Sequence, residues 1–61
     1  MNDVKIGKLI KYNFLYSNED DKIGIVCKLK KDSNFSYIVY ILLNDQIVQV
    51  PYSIMELKNI E

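Results

Sequence analysis

The sequence predicts a mostly β fold, a five-stranded small barrel with one short helical turn before the last strand. Short apolar stretches show a period of two, which is typical of strands with one buried face. Clusters of Asn, Asp and Ser, which are typical of turns, separate these stretches. The chain has 61 residues, which is room for one domain, so residues 1–61 are expected to form a single unit.

The core of this barrel is expected to be aliphatic and aromatic. The chain has one cysteine, Cys27, so no intramolecular disulfide can form. It has no histidine, so a Cys/His zinc site is also absent. Both of the usual covalent or metal supports for a small domain are therefore excluded.

The first strand is predicted over Lys5–Tyr12. Ile6, Ile10 and Tyr12 share a parity, so they would point to one face of a pleated strand and into the core. Leu9 has the opposite parity, which a bulge at Gly7 would explain.

A long exposed loop is predicted over Asn13–Asp21, where the apolar period is lost. Its first apolar residues, Phe14–Tyr16, are expected to pack over the open end of the barrel. Its carboxylates, Glu19–Asp21, lack the Asp-x-Asp-x-Asp-Gly spacing of a dedicated calcium loop. No metal site is therefore predicted.

The second strand, Lys22–Lys31, alternates most regularly. The apolar set predicts the core face, and Cys27 is interpreted as a buried apolar residue because no histidine is present to activate its thiol. The expected core face comprises Ile23, Ile25, Cys27 and Leu29, and the other face comprises Gly24, Val26, Lys28 and Lys30.

A turn over residues 31–34 precedes the third predicted strand, Phe35–Leu43, which is apolar on both parities. Such a strand is either covered on both faces or meets a partner. If the odd-numbered set of Tyr37, Val39, Ile41 and Leu43 points inward, the outward stripe consists of Ile38, Tyr40 and Leu42. The alternative is that the N-terminal segment or the loop after the first strand covers this stripe.

The C-terminal third continues this meander. Asn44 and Asp45 predict a two-residue hairpin, and the returning strand Gln46–Val50 is closed by Pro51, which lacks an N–H. A helical turn is then predicted over Tyr52–Glu56, with a capping box between its Ser and Glu, Ser53 and Glu56. A short last strand is predicted over Leu57–Ile60.

Four short features carry a resemblance that spans nearly the whole chain. They are a Lys-x-Gly-x-Leu-Ile/Val opening, a Gly-Ile-Val strand after a variable loop, a dense apolar hairpin and a Val-Pro-Tyr ending followed by a leucine. The opening is Lys5–Ile10, the strand is Gly24–Val26, and the ending is Val50–Tyr52 with Leu57. This pattern resembles short uncharacterised proteins of tailed bacteriophages with Src-homology-3-like small barrels. The resemblance implies that fold and a phage origin, and it supplies no catalytic residues. Lys8 stands where such openings usually carry Asp.

Charge and hydropathy indicate where in the cell the protein is expected. Eight lysines balance eight carboxylates, so no net charge steers the chain toward nucleic acid or an anionic membrane. The longest apolar run is far shorter than the roughly 20 residues that span a bilayer, and no signal peptide is recognised. We expect a cytoplasmic protein without a membrane partner, in the host cytoplasm or the virion if it is phage-encoded.

The function predicted from these residues is a non-enzymatic protein-interaction or structural module. Phosphate-binding glycine loops and histidines are missing, so neither an enzyme, a cofactor nor a small-molecule substrate is expected. The partner would be a protein or a second copy, docked on the apolar stripe of Ile38, Tyr40 and Leu42. The alternative is nucleic-acid binding through a basic patch with a stacking ring, formed by Lys28, Lys30, Lys31 and Tyr37.

Overall fold

The computed structural model describes residues 4–32 and 36–60. Five antiparallel strands form one sheet, in the order β4-β3-β2-β1-β5, which curls into a half-barrel. The strands are β1 (Leu9–Phe14), β2 (Lys22–Lys31), β3 (Tyr37–Leu43), β4 (Gln46–Pro51) and β5 (Met55–Lys58), with a 3-10 turn at Tyr52–Ile54. The prediction of a mostly β fold with a helical turn before the last strand is confirmed.

The core lies on the concave face of the sheet. All five strands contribute to it, together with Val4, which precedes β1 and was not predicted as a core residue. Burial raises the pKa of the Tyr12 hydroxyl. The buried apolar residues are Val4, Ile10, Tyr12, Val26, Val39, Ile41, Val50 and Met55.

The first strand starts later than predicted. Ile6 and Gly7 form a turn, in which Gly7 has φ 89° and donates its N–H to the Val26 carbonyl at 2.7 Å. A positive φ of this kind favours glycine because it has no Cβ. Ile6 is 66% exposed, so its predicted core position is wrong, whereas Ile10 and Tyr12 do face the core.

The segment after β1 also differs from the prediction. Phe14 still belongs to β1 and packs against the core, with its ring edge-on to Tyr12 at a centroid distance of 6.2 Å. Leu15 is exposed, and Tyr16 is fully exposed with φ 64°. The expectation that all three residues cover the open end of the barrel is therefore wrong for Leu15 and Tyr16.

Strand β2 has the predicted bounds, but its faces are reversed before Cys27; after it, Leu29 faces the core and Lys28 and Lys30 face outward, as predicted. Gly24 and Val26 are buried, whereas Ile23 and Ile25 are 48% and 43% exposed. The register with β3 shifts between Val26 and Lys28, which is a β-bulge. Because the bulge adds one residue, Val26 and Leu29 both pack on the core side although they are three positions apart.

Cys27 occupies this bulge and is only partly buried. Its thiol donates a hydrogen bond to the Ile25 carbonyl at 3.4 Å. The prediction of a buried core cysteine is therefore wrong, and of the predicted inner set of β2 only Leu29 packs on the core.

The two-residue hairpin between β3 and β4 is confirmed. Asn44 and Asp45 have φ 52° and 66°, and Leu43 pairs with Gln46. Two consecutive positive φ values characterise the primed turn that matches the twist of a hairpin. The predicted start of β3 at Phe35, and part of the preceding turn, lie outside the described residues.

The C-terminal elements differ in detail. Pro51 occupies the N-cap position of the 3-10 turn, and no side-chain hydrogen bond caps the turn, so the predicted capping box of Ser53 and Glu56 is wrong. Strand β5 starts at Met55, two residues before the predicted Leu57. The turn is shorter than expected because Met55 already has an extended backbone, with its N–H bonded to the Tyr52 carbonyl.

Candidate functional site: the outer face of the sheet

The outer face is the side of the sheet that points away from the core. On β3, Val39 and Ile41 are fully buried, so the alternate residues Ile38, Tyr40 and Leu42 lie on the outer face. Leu42 is exposed, and Ile38 and Tyr40 are partly buried. The predicted stripe of Ile38, Tyr40 and Leu42 thus lies on the outer face, as its parity predicted. Its role as an interface stays a prediction.

A second apolar feature crosses this stripe. Leu9 pairs with Ile25, Ile25 with Leu42, and Leu42 with Ile47, so these four side chains lie side by side on four adjacent strands. They are 44%, 43%, 41% and 61% exposed, in that order. Strands in a sheet are about 4.8 Å apart, so this apolar row is about 14 Å long. Exposed Ile23 extends it along β2.

Sequence reasoning missed three of the four residues in the apolar row. Ile47 could have been found, because a two-residue hairpin that pairs Leu43 with Gln46 also pairs Leu42 with Ile47. Leu9 and Ile25 required the register between β1 and β2, which no turn of fixed length determines.

Two lysines of β2 form the basic end of the outer face. Lys28 pairs with Tyr40, and its Nζ lies 5.3 Å from the centroid of the tyrosine ring, in cation–π contact. Lys30 pairs with Ile38. We call Lys28 and Lys30 the basic end.

The residues of the nucleic-acid alternative do not share one face. Lys31 pairs with Tyr37, and Tyr37 has the parity of buried Val39, so both lie on the core side of the sheet. Lys28 and Lys30 lie on the outer face, where the aromatic neighbour is Tyr40 instead of Tyr37.

An acidic loop covers the opposite end of the outer face. The side chain of Asn13 points away from the core, yet Asn13 is only 5% exposed because residues 19–21 fold over it. Its Nδ2 donates to the Glu19 carbonyl at 2.7 Å and to Asp21 Oδ1 at 3.1 Å. Its Oδ1 accepts the Phe14 N–H at 2.8 Å. We call Glu19–Asp21 the acidic loop.

Two further lysines lie between the apolar row and the acidic loop. Lys11 and Lys58 are directly paired across β1 and β5, and they line a shallow groove of about 660 Å³. Like charges in such pairs are unfavourable. The Glu56 carboxylate, 2.8 Å from Lys58 Nζ, offsets this repulsion and raises the pKa of Lys58 through its hydrogen bond and charge.

The described residues bring together no metal-binding cluster. In residues 4–32 and 36–60, no group of three or more Cys, Asp or Glu side chains is placed to hold a metal ion. No helix of the same ranges is long and apolar enough to cross a membrane. What the outer face offers chemically is apolar contact, bordered by charges of opposite sign.

No family model, curated protein or solved structure matches this chain. The geometry therefore defines a class: a small β half-barrel whose outer face carries an exposed apolar row.

Proposed function

We propose that this protein is a non-enzymatic interaction module that docks on a protein through its outer face. The observation that supports the proposal is the apolar row of Leu9, Ile25, Leu42 and Ile47. Single exposed apolar side chains are ordinary, but contiguous ones are typical of interaction sites because their contact with water is unfavourable. Tyr40 would anchor the partner beside this row, with Ile38 and Leu42 as its neighbours.

We also propose that the fold is a Src-homology-3-like small barrel and that the chain is encoded by a tailed bacteriophage. The strand order and the 3-10 turn before β5 support the fold. The Lys5–Ile10 and Val50–Tyr52 motifs support the origin. The protein would then act in the host cytoplasm or in the virion.

Co-purification tests the docking function. A tagged chain is expressed in its native host together with an untagged copy, and retained proteins are compared between the natural sequence and a Leu42→Lys, Ile47→Lys double variant. We expect the variant to lose the retained protein, because two charges would be buried in the interface. The matched control is Ile54→Lys, since Ile54 is 44% exposed but lies in the 3-10 turn. Equal retention by all three chains would contradict the proposal.

Nucleic-acid binding is the second candidate, favoured by one observation, the basic end beside the Tyr40 ring. Lys28 already occupies that ring, so a stacking base would have to displace it. Binding through lysine–phosphate contacts weakens steeply with salt, whereas apolar docking does not. If no single- or double-stranded oligonucleotide shifts at low salt, this candidate is excluded.

A further inference from the structure

The distribution of charge on the outer face narrows the identity of the partner. Along β2 the face runs from the acidic loop, through Ile23 and Ile25, to the basic end. Asp21 lies four residues before Ile25, and Lys30 lies five residues after it, one of which occupies the bulge. At about 3.4 Å per residue, Asp21 and Lys30 are each about 14 Å from the apolar row, and Lys28 is about 7 Å from it.

This arrangement is complementary to itself. We propose that the outer face binds a second copy of this chain, in a dimer whose two-fold axis crosses β2 and β3 at Ile25 and Leu42, the middle of the apolar row on this convex face; the inference rests on the proposed docking function. Rotation about that axis places row on row and exchanges the two ends. Lys30 of each copy then faces the acidic loop of the other, with Lys28 between Lys30 and the apolar row, so the same charge contact forms twice.

The charges also select this orientation over the other face-to-face dimer. A two-fold axis parallel to the strands would place basic end on basic end, which is repulsive. Lys11 and Lys58 do not reverse the sign of the acidic end. There, the four carboxylates of Glu19, Asp20, Asp21 and Glu56 outnumber Lys11 and Lys58, whereas Lys22 pairs with buried Tyr12 and lies on the core side. The whole chain has a net charge of zero, so two copies do not repel each other at long range.

A charge-swap experiment tests the dimer. One variant carries Lys28→Glu and Lys30→Glu, and the other carries Glu19→Lys and Asp20→Lys; Asp21 is retained because it accepts a hydrogen bond from Asn13. Molar mass is measured by light scattering over a concentration series, with reducing agent to prevent disulfides through Cys27. We expect the natural chain to approach twice its 7.2 kDa mass. Each variant alone should dimerise at least about tenfold more weakly, since like charges then meet.

The equimolar mixture of the two variants is the decisive sample. In a mixed dimer both charge contacts are again between opposite signs, so the mixture should dimerise about as tightly as the natural chain. Lys31→Glu is the matched control, because Lys31 lies on the core side of β2 and its reversal should leave dimerisation unchanged. Circular dichroism confirms that each variant is folded.

Two results would overturn the dimer. The first is a natural chain that stays monomeric up to about 1 mM, where only very weak association escapes detection. The second is a mixture that associates no better than either variant alone. If the monomeric chain retains a different protein in the co-purification, and that retention is lost in the Leu42→Lys, Ile47→Lys variant, the docking function stands. In that case only the second copy is excluded as the partner.

Discussion

Strands β2 and β3 are neighbours in the sheet and have similar apolar patterns. The apolar set predicted for the core nevertheless faces the core on β3 and the solvent on the first half of β2. On β3, the β-branched residues Val39 and Ile41 are buried. On β2, the β-branched residues Ile23 and Ile25 are exposed, and Gly24 and Val26 are buried instead. Alternation divides a strand into two sets of residues, but the partner strands and the bulges decide which set faces the core.

Packing volume explains the choice on β2. A Cβ on Gly24 would clash with Ile41 Cγ2 and would lie 2.7 Å from the Leu42 carbonyl oxygen. The space beside β3 is thus already filled, and a close-packed core accepts the residue that fits in preference to the most apolar one. A hydropathy pattern contains no information about this space.

The largest expected effect tests the assignment of the faces of β3. Val39→Ser should destabilise the protein by about 3 kcal/mol, because it leaves a cavity and buries a hydroxyl. Tyr40→Ser, on the outer face, should cost much less and should instead weaken association. Urea denaturation followed by circular dichroism measures both. A domain of this size is stable by only about 3–9 kcal/mol, so Val39→Ser should unfold far more readily.

The two variants together decide whether Tyr40 belongs to the interface or to the core. If Tyr40→Ser unfolds the protein as readily as Val39→Ser does, the residue is part of the core and cannot anchor a partner. Ile41→Ser is the control for the inner face and should resemble Val39→Ser, because Ile41 is also fully buried.

The next effect tests the reversed faces of β2. Val26→Ala should cost about 2 kcal/mol, since Val26 is 1% exposed and belongs to the core. Ile25→Ala removes more carbon atoms but should cost no more than about 1 kcal/mol, because Ile25 is 43% exposed. Thermal unfolding ranks the two variants. If Ile25→Ala were the more destabilising variant, Ile25 would face the core, as hydropathy predicted. That result would contradict the register shift at Cys27.

Much of the fold was predictable because it depends on local chemistry. The bounds of β2, the Asn44-Asp45 hairpin and the helical turn before β5 follow from turn residues and β propensity within a few positions of each other. The outward parity of Tyr40 was predictable for the same reason, since β3 contains no bulge against β4.

What failed depends on contacts between distant parts of the chain. The start of β1 depends on the bond from the Gly7 N–H to the Val26 carbonyl, 19 positions along the sequence. The apolar row requires the register of four strands at once, and its inclusion of Ile25 depends on the bulge at Cys27. The acidic loop was predicted as a loop, but its position over Asn13 comes from hydrogen bonds that the composition does not indicate.

Gly24→Ala sharpens the comparison of the two strands at the position where they crowd each other. Elsewhere in a strand, replacing glycine by alanine is favourable, because glycine has little β propensity and a flexible unfolded state. Here the Leu42 carbonyl oxygen would lie 2.7 Å from the new methyl group, and backbone cannot move aside cheaply. We expect a loss of about 1–2 kcal/mol in urea denaturation. A stabilised variant would mean that the two strands are not packed this closely.

The smallest effect concerns the hairpin that fixes the register of β3 against β4, and therefore the place of Leu42 beside Ile47. Asp45 has φ 66° in a primed turn, at the position where glycine is favoured because it lacks a Cβ. Asp45→Gly should therefore stabilise the protein by about 0.5–1 kcal/mol, which is a rise of about 2–8 °C in Tm for a domain of this size. Asn44→Gly, at φ 52°, is the matched comparison and should gain less, since asparagine tolerates this conformation better than most residues. Because the register is unchanged, both variants should dimerise like the natural chain. A lower Tm for Asp45→Gly would show that the Asp45 side chain stabilises the turn by more than its backbone strain costs.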